Sequence, residues 1–220
     1  MKVEALLFDF DGVLIESEYA GNRQLAAWLS AAGHPTTPEE AMAQFMGYSG
    51  ADFLARIEAH IGRPIPDDFH DARAAEDARV MAEGIDAVIG AVAFVRSLPA
   101  TLPKAVVSSS STAWIRRHLA HVGLDADFGE HVYSGREHVE RGKPAPDLYL
   151  FGAERLGVAI ERCGIIEDSP VGATGAVASG GYVIGFCGGT HCGIDHAARL
   201  REIGVAAIAH DFAEIAALLR

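Results

Sequence analysis

Short apolar runs recur along the chain, and several stop abruptly at polar residues. Residues 3–10 run into Asp9 and Asp11, residues 102–107 into the serines 108–111, and residues 163–166 into Glu167-Asp168. Runs of this length that lack polar alternation predict strands buried on both faces. Residues 181–186 and 205–209 are further runs of the same kind, each followed by a helical pattern. Repeated strand-then-helix units predict an α/β fold, a Rossmann-like parallel sheet with helices on both faces. Open sheets of this type bind ligands beyond the carboxyl ends of their strands, which is where the polar residues fall.

The alternation stops between residues 17 and 84. That stretch holds only helix-length segments, broken by Gly33-His34-Pro35, Gly47, Gly50 and Arg63-Pro64-Ile65-Pro66. An all-helical segment inserted after the first strand cannot join the sheet, so it predicts a small bundle packed over the strand ends as a cap. The expected organisation is a core from residues 1–16 and 85–220 and a cap from residues 17–84.

Composition narrows the class of partner. The 220 residues carry 18 Lys+Arg against 30 Asp+Glu, a net charge of −12. No Lys/Arg cluster offers the basic surface that a nucleic-acid partner requires, whereas a small anion needs only a few local cations or a metal. Three cysteines in a chain whose apolar start is too short and too soon charged for a secretory signal argue against a disulfide framework and for a reducing, cytoplasmic setting. Residues 169–194 lack any charged side chain other than histidine, but their glycines and Pro170 read as helix, turn, strand and loop rather than a membrane span.

The motif Asp9-Phe10-Asp11-Gly12-Val13-Leu14 places two carboxylates two residues apart at a strand end, pointing the same way if the backbone stays extended. One carboxylate can attack an electrophile while the other exchanges a proton with the leaving group. Two acids at a strand end can equally be solvated. Ser108 could be a helix N-cap, Lys143 a surface charge, and Glu167-Asp168 a cap for the helix at Pro170.

Taken together and in this order, DxDGxL, a strand ending in Ser108, Lys143 in Gly142-Lys143-Pro144-Ala145-Pro146-Asp147, and the pair Glu167-Asp168 resemble the haloacid dehalogenase superfamily over nearly the whole chain. The resemblance implies a phosphatase in which Asp9 is the nucleophile and Asp11 the general acid and base. It implies Mg²⁺ held by Asp9, the main-chain carbonyl of Asp11, Glu167 and Asp168. Ser108, the amide of Ser109 and the turn at Gly12 would bind the phosphoryl group with Lys143. Asp11 and the acidic pair argue against dehalogenation, since a halide leaving group needs no protonation.

The subgroup with a helical cap after the first motif includes sugar-phosphate phosphatases and β-phosphoglucomutase. The histidine and arginine that mutase caps carry correspond here to Gly21 and Gly50, which favours hydrolysis of a sugar phosphate or phosphorylated sugar acid over phosphoryl transfer. A non-catalytic phosphate-binding protein would require a motif member to be missing. In the cap, Glu18, Asn22, Arg23, Tyr48 and Arg73 are the candidates for choosing the small phosphorylated metabolite. The chain is expected to act as a monomer or weak homo-oligomer. Cys187, His191, Cys192 and His196 lie within ten residues, yet their spacing is not that of a standard zinc finger and the segment reads as a loop.

Overall fold

The computed structural model describes residues 3–45 and 50–219. Its strands are β1 (Ala5–Phe8), β2 (Lys104–Ser108), β3 (Val132–Ser134), β4 (Cys163–Glu167), β5 (Tyr182–Phe186) and β6 (Ala207–Ala209). They form one sheet in the order β3-β2-β1-β4-β5-β6, and every pairing is parallel. The first strand is therefore central, and the chain builds outward to β3 before returning to the other side of β1. The α/β class expected from the strand-helix alternation is the observed one.

All four residues of β1 are buried, as expected of a strand covered on both faces. Phe8 meets Phe94 and Phe128 edge-on at 6.2 and 5.6 Å. Leu7 joins a core with Val107, Tyr149, Ile165 and Ala176. The strand stops at Phe8, earlier than the predicted run, so the side-chain alternation of an extended strand does not carry through to Asp9 and Asp11. Strand β3 was not predicted. It is three residues long, and its place comes from pairing with β2, where Val106 faces Val132 and Ser108 faces Ser134.

The chain divides into two compact units, Met1–Glu16 with Asp86–Arg220, and Ser17–Ile85. The first holds the sheet and helices α5 (Ala91–Ser97), α6 (Thr112–His121), α7 (Asp125–Phe128), α8 (Asp147–Leu156), α9 (Pro170–Ser179), α10 (His196–Ile203) and α11 (Phe212–Leu218), numbered after the four of the second unit. Those four are α1 (Ser17–Ala31), α2 (Pro38–Phe45), α3 (Gly50–Ile61) and α4 (Asp67–Glu83). Helix α1 buries Asn22, Leu25, Ala26 and Leu29 at helical spacing, and the three apolar members share a core with Phe45, Ile57 and Phe69. Helix α2 opens on a reciprocal cap: Thr37 Oγ1 accepts from the Glu40 amide at 3.1 Å, and Glu40 Oε2 accepts from the Thr37 amide at 2.8 Å. Among the described residues no helix is long and apolar enough to cross a membrane.

Candidate active site

Three adjacent strands, β2, β1 and β4, end within two residues of one another in the register. Phe8 stands opposite Ile166 in the register, and the Asp9 amide donates to the Ile166 carbonyl at 2.9 Å, so Asp9 falls beside Glu167. Carboxylate oxygens of Asp9, Glu167 and Asp168 all lie within 4.8 Å of one another, and all three residues are buried.

Lys143 enters this group from the loop before α8. Arg141 grips Asp147 through two parallel hydrogen bonds of 3.0 Å and closes the turn that carries Lys143. Lys143 Nζ donates to Asp9 Oδ1 at 2.7 Å and to Glu167 Oε1 at 2.5 Å. Burial alone would lower the ammonium's pKa, but the two carboxylates more than reverse this and hold it above its usual range. Asp9 is pushed well above the usual carboxylate range, first by burial and then by Glu167, with Lys143 opposing. Glu167 also accepts from the Tyr149 hydroxyl at 2.7 Å and from the Ser169 amide at 3.1 Å.

Three carboxylates against one ammonium leave an excess of two negative charges, the charge of one divalent cation. The donor set is all oxygen, which suits a hard ion such as Mg²⁺. The residues present therefore fit the metal that the sequence motifs imply.

Asp11 faces a different set of groups. Its Oδ2 accepts from Ser110 Oγ at 2.6 Å and Ser108 Oγ at 3.2 Å, and its Oδ1 accepts from Trp114 Nε1 at 3.2 Å. The two carboxylates of the motif thus have separate partners, because the strand has already ended and Gly12 turns the chain at φ 82°. A Cβ at Gly12 would overlap the Asp168 carboxylate, and one at Gly172 would overlap that of Glu167. Both positions require glycine for close approach.

Ser108 is not a helix cap. Ser111 caps α6, accepting from the Trp114 amide at 3.3 Å, and Ser169 caps α9, accepting from the Gly172 amide at 2.9 Å. The capping alternatives for Ser108 and the acidic pair thus fall to their serine neighbours. Ser109 is exposed directly after the strand end. Within the helical unit, Asn22 Nδ2 donates to the Glu18 carbonyl at 2.8 Å, and Arg73 donates to Gln24 Oε1 at 3.1 Å. The Arg79 hydrogen bond holds the Glu76 carboxyl below its usual range, and Arg23 adds to that effect. Tyr48 lies outside the described residues.

Sequence reasoning missed Ser110, Tyr149 and Trp114, none of which has a motif of its own. It also took the segment from Cys187 to His196, whose two thiols and two imidazoles do not have zinc-finger spacing, as a plain loop. His191 Nε2 lies 2.7 Å from Asp168 Oδ2, and His196 Nε2 lies 2.6 Å from the Asp168 carbonyl oxygen. Cys163, Cys187 and Cys192 are thiols, and burial raises Cys163 and Cys187 to about 11.

Residues 3–180 match the haloacid dehalogenase-like hydrolases, and the chain belongs to this family. It is a phosphatase, an enzyme that hydrolyses phosphoric monoesters. It is similar to hexitol phosphatase A of Escherichia coli, with 36% identity over 84% of this chain and 83% of that one. It is also similar to the 6-phosphogluconate phosphatase of the same organism, with 27% identity over 86% and 85%. Among solved structures, a HAD family hydrolase from Deinococcus radiodurans with bound phosphate and sodium superposes with a TM-score of 0.88. That pair is 34% identical, over 99% of this chain and 95% of that one.

Proposed function

We propose that the chain is a Mg²⁺-dependent phosphatase that hydrolyses a sugar phosphate or phosphorylated sugar acid through a phosphoryl intermediate on Asp9. The observation that carries this reading is the buried Asp9, Glu167 and Asp168 group with Lys143 joined to two of its members. The names of the relatives, phosphatases of hexitol phosphates and of 6-phosphogluconate, support the substrate class.

Bound at Asp9, Glu167 and Asp168, Mg²⁺ offsets the negative charge that otherwise keeps an anionic nucleophile from an anionic phosphoryl group. An Asp9 oxygen attacks phosphorus, and the bond from phosphorus to the alcohol oxygen breaks. Asp11, in its protonated form, gives its proton to that oxygen. Asp11 then takes a proton from water as the water oxygen attacks phosphorus, breaking the bond to Asp9 and releasing phosphate. Lys143 holds Asp9 in place and adds positive charge beside the phosphoryl oxygens.

Ser108 has one hydroxyl proton, now donated to Asp11. Donation to a phosphoryl oxygen instead would leave Asp11 held by Ser110 and Trp114, with the Ser109 amide available as a second donor to the phosphate. Binding of substrate would thereby loosen the general acid at the moment its proton is required.

The test is phosphate release from a panel of sugar phosphates, 6-phosphogluconate, phosphoglycolate and nucleotides, with and without Mg²⁺, and with Asp9→Asn as the blank. Release that requires both Mg²⁺ and Asp9 is expected, fastest with sugar phosphates or 6-phosphogluconate. Full activity in Asp9→Asn would overturn the mechanism. Isomerised sugar phosphate without free phosphate would replace hydrolysis by transfer.

A further inference from the structure

We propose that His191 and His196 are positioning residues for Asp168, with His191 setting the orientation in which its carboxylate meets the cation; this rests on the metal role proposed above for Asp168. A carbonyl oxygen only accepts, so His196 Nε2 donates to the Asp168 main chain at 2.6 Å. His191 Nε2 donates to Asp168 Oδ2 at 2.7 Å, and both side chains are buried, at 2% and 3% exposure. The outer torsion of an aspartate is broad. A donor on one oxygen, together with a second on the main chain of the same residue, removes that freedom.

The placement of the His191 ring is itself enforced. A Cβ at Gly189 would stand 2.5 Å from His191 Cε1, and one at Gly12 would stand 2.8 Å from the same atom. The imidazole is seated between two glycines, one of them in the nucleophile motif. Its neighbour Thr190 donates to Glu16 Oε2 through its amide at 3.1 Å and its hydroxyl at 2.6 Å, tying the loop to the segment that follows the motif.

His191, Cys192 and His196 also form a group whose possible ligand atoms lie within 4.8 Å. His191 Nε2 lies 3.4 Å from Cys192 Sγ but only 2.7 Å from Asp168 Oδ2, and a metal taken up through the two Nε2 atoms would break both contacts to Asp168. The geometry serves the acidic site instead. Outer-shell partners of metal-ligating carboxylates change metal affinity by about ten- to a hundredfold when removed.

The experiment is calorimetric titration of the whole protein with Mg²⁺ in the absence of substrate, alongside thermal melting. Asp168→Asn is expected to lose binding, and His191→Leu to weaken it about ten- to a hundredfold. His191→Gln, which restores an N–H near the same place, is expected to recover most of that loss. Gly189→Ala keeps every side chain of the site but crowds the His191 ring, at 2.5 Å from Cε1 and 2.6 Å from Nδ1, and the Gly12 carbonyl oxygen at 2.9 Å, and must also weaken binding. Wild-type affinity in either folded variant, His191→Leu or Gly189→Ala, overturns the inference while leaving the metal reading intact. Absence of Mg²⁺ binding in the wild-type protein overturns both.

Discussion

Trp114 reaches from the first turn of α6 to hold Asp11, its indole N–H donating to Oδ1 across 3.2 Å. Ser110 and Ser108 hold the other oxygen, so Trp114 alone among these three restrains Oδ1. A hydrogen bond contributes about 0.5–1.5 kcal/mol, and the two serine contacts survive its removal. Trp114→Phe, which keeps the ring and deletes the donor, should lower kcat by about tenfold, or about 1.4 kcal/mol. The Mg²⁺ concentration giving half-maximal rate should not change. Steady-state kinetics at varied Mg²⁺ would separate the two effects, and an equal shift in both would remove Trp114 from the acid's environment.

Lys143 is the common partner of Asp9 and Glu167, and all three side chains are buried. Removing one member of a buried ion pair typically costs about 3–5 kcal/mol, because the remaining charge is left uncompensated. Lys143→Met should therefore be inactive and destabilised by about that amount in EDTA. Saturating Mg²⁺ should raise its melting temperature by more than it raises that of the wild type, since the variant lacks the ammonium that shares the neutralising role. Equal shifts in the two proteins would argue against a shared charge balance.

The parts of this site that were legible in the sequence are those where one residue type terminates an apolar run. β1, β2 and β4 are buried on both faces, so their hydrophobic residues are contiguous and the polar residue that ends each run stands out. Asp9, Ser108 and Glu167 were found this way, with Lys143 following from its motif. β3 left no such signal, because a three-residue edge strand takes its identity from pairing with Val106, Val107 and Ser108 rather than from its own pattern. His191 and His196 were invisible for a related reason. Their meaning lies in contact with Asp168, twenty-eight positions earlier in the case of His196, and a histidine in a glycine-rich loop looks the same whether it faces water or a carboxylate.

His118 is fully buried in α6 against Trp114, with ring centroids 4.3 Å apart, and neither of its ring nitrogens has a hydrogen-bond partner among the described residues. Burial lowers its pKa, Asp11 acts in the opposite sense, and His121 and Arg117 add to the lowering. The unfolded chain therefore takes up the proton first as pH falls below about 6.5. The stability associated with neutral His118 is fully present above that pH and is lost as pH drops toward the folded-state value. His118→Phe should flatten this acid limb. Urea unfolding at pH 7 and pH 5 should show a smaller difference in the variant than in the wild type, and an unchanged difference would assign the limb to other groups.

Gly172 and Gly21 both lie in helices, where alanine ordinarily stabilises relative to glycine by up to about 1 kcal/mol. At Gly21 a Cβ meets nothing within 4 Å, so Gly21→Ala should stabilise the protein by about 0.5–1 kcal/mol. At Gly172 the added methyl would collide with the Glu167 carboxylate, so Gly172→Ala should destabilise by about 1–3 kcal/mol and depress activity. Chemical denaturation of the pair would give shifts of opposite sign. A stabilising Gly172→Ala would mean that α9 can withdraw from Glu167 without harm.

The central place of β1 also governs when the enzyme can first work. Asp9 and Lys143 touch across 134 positions of sequence, and Asp11 and Trp114 across 103. Contacts of such separation form late, since the entropy of closing long loops must be met before they return any stability. Helix content can recover while the intervening strands are still unpaired, but the nucleophile gains its ammonium only once β2 and β4 have settled on either side of β1. In refolding, regain of phosphate release should trail regain of the far-ultraviolet helical signal, which makes turnover the stopwatch for completed sheet assembly.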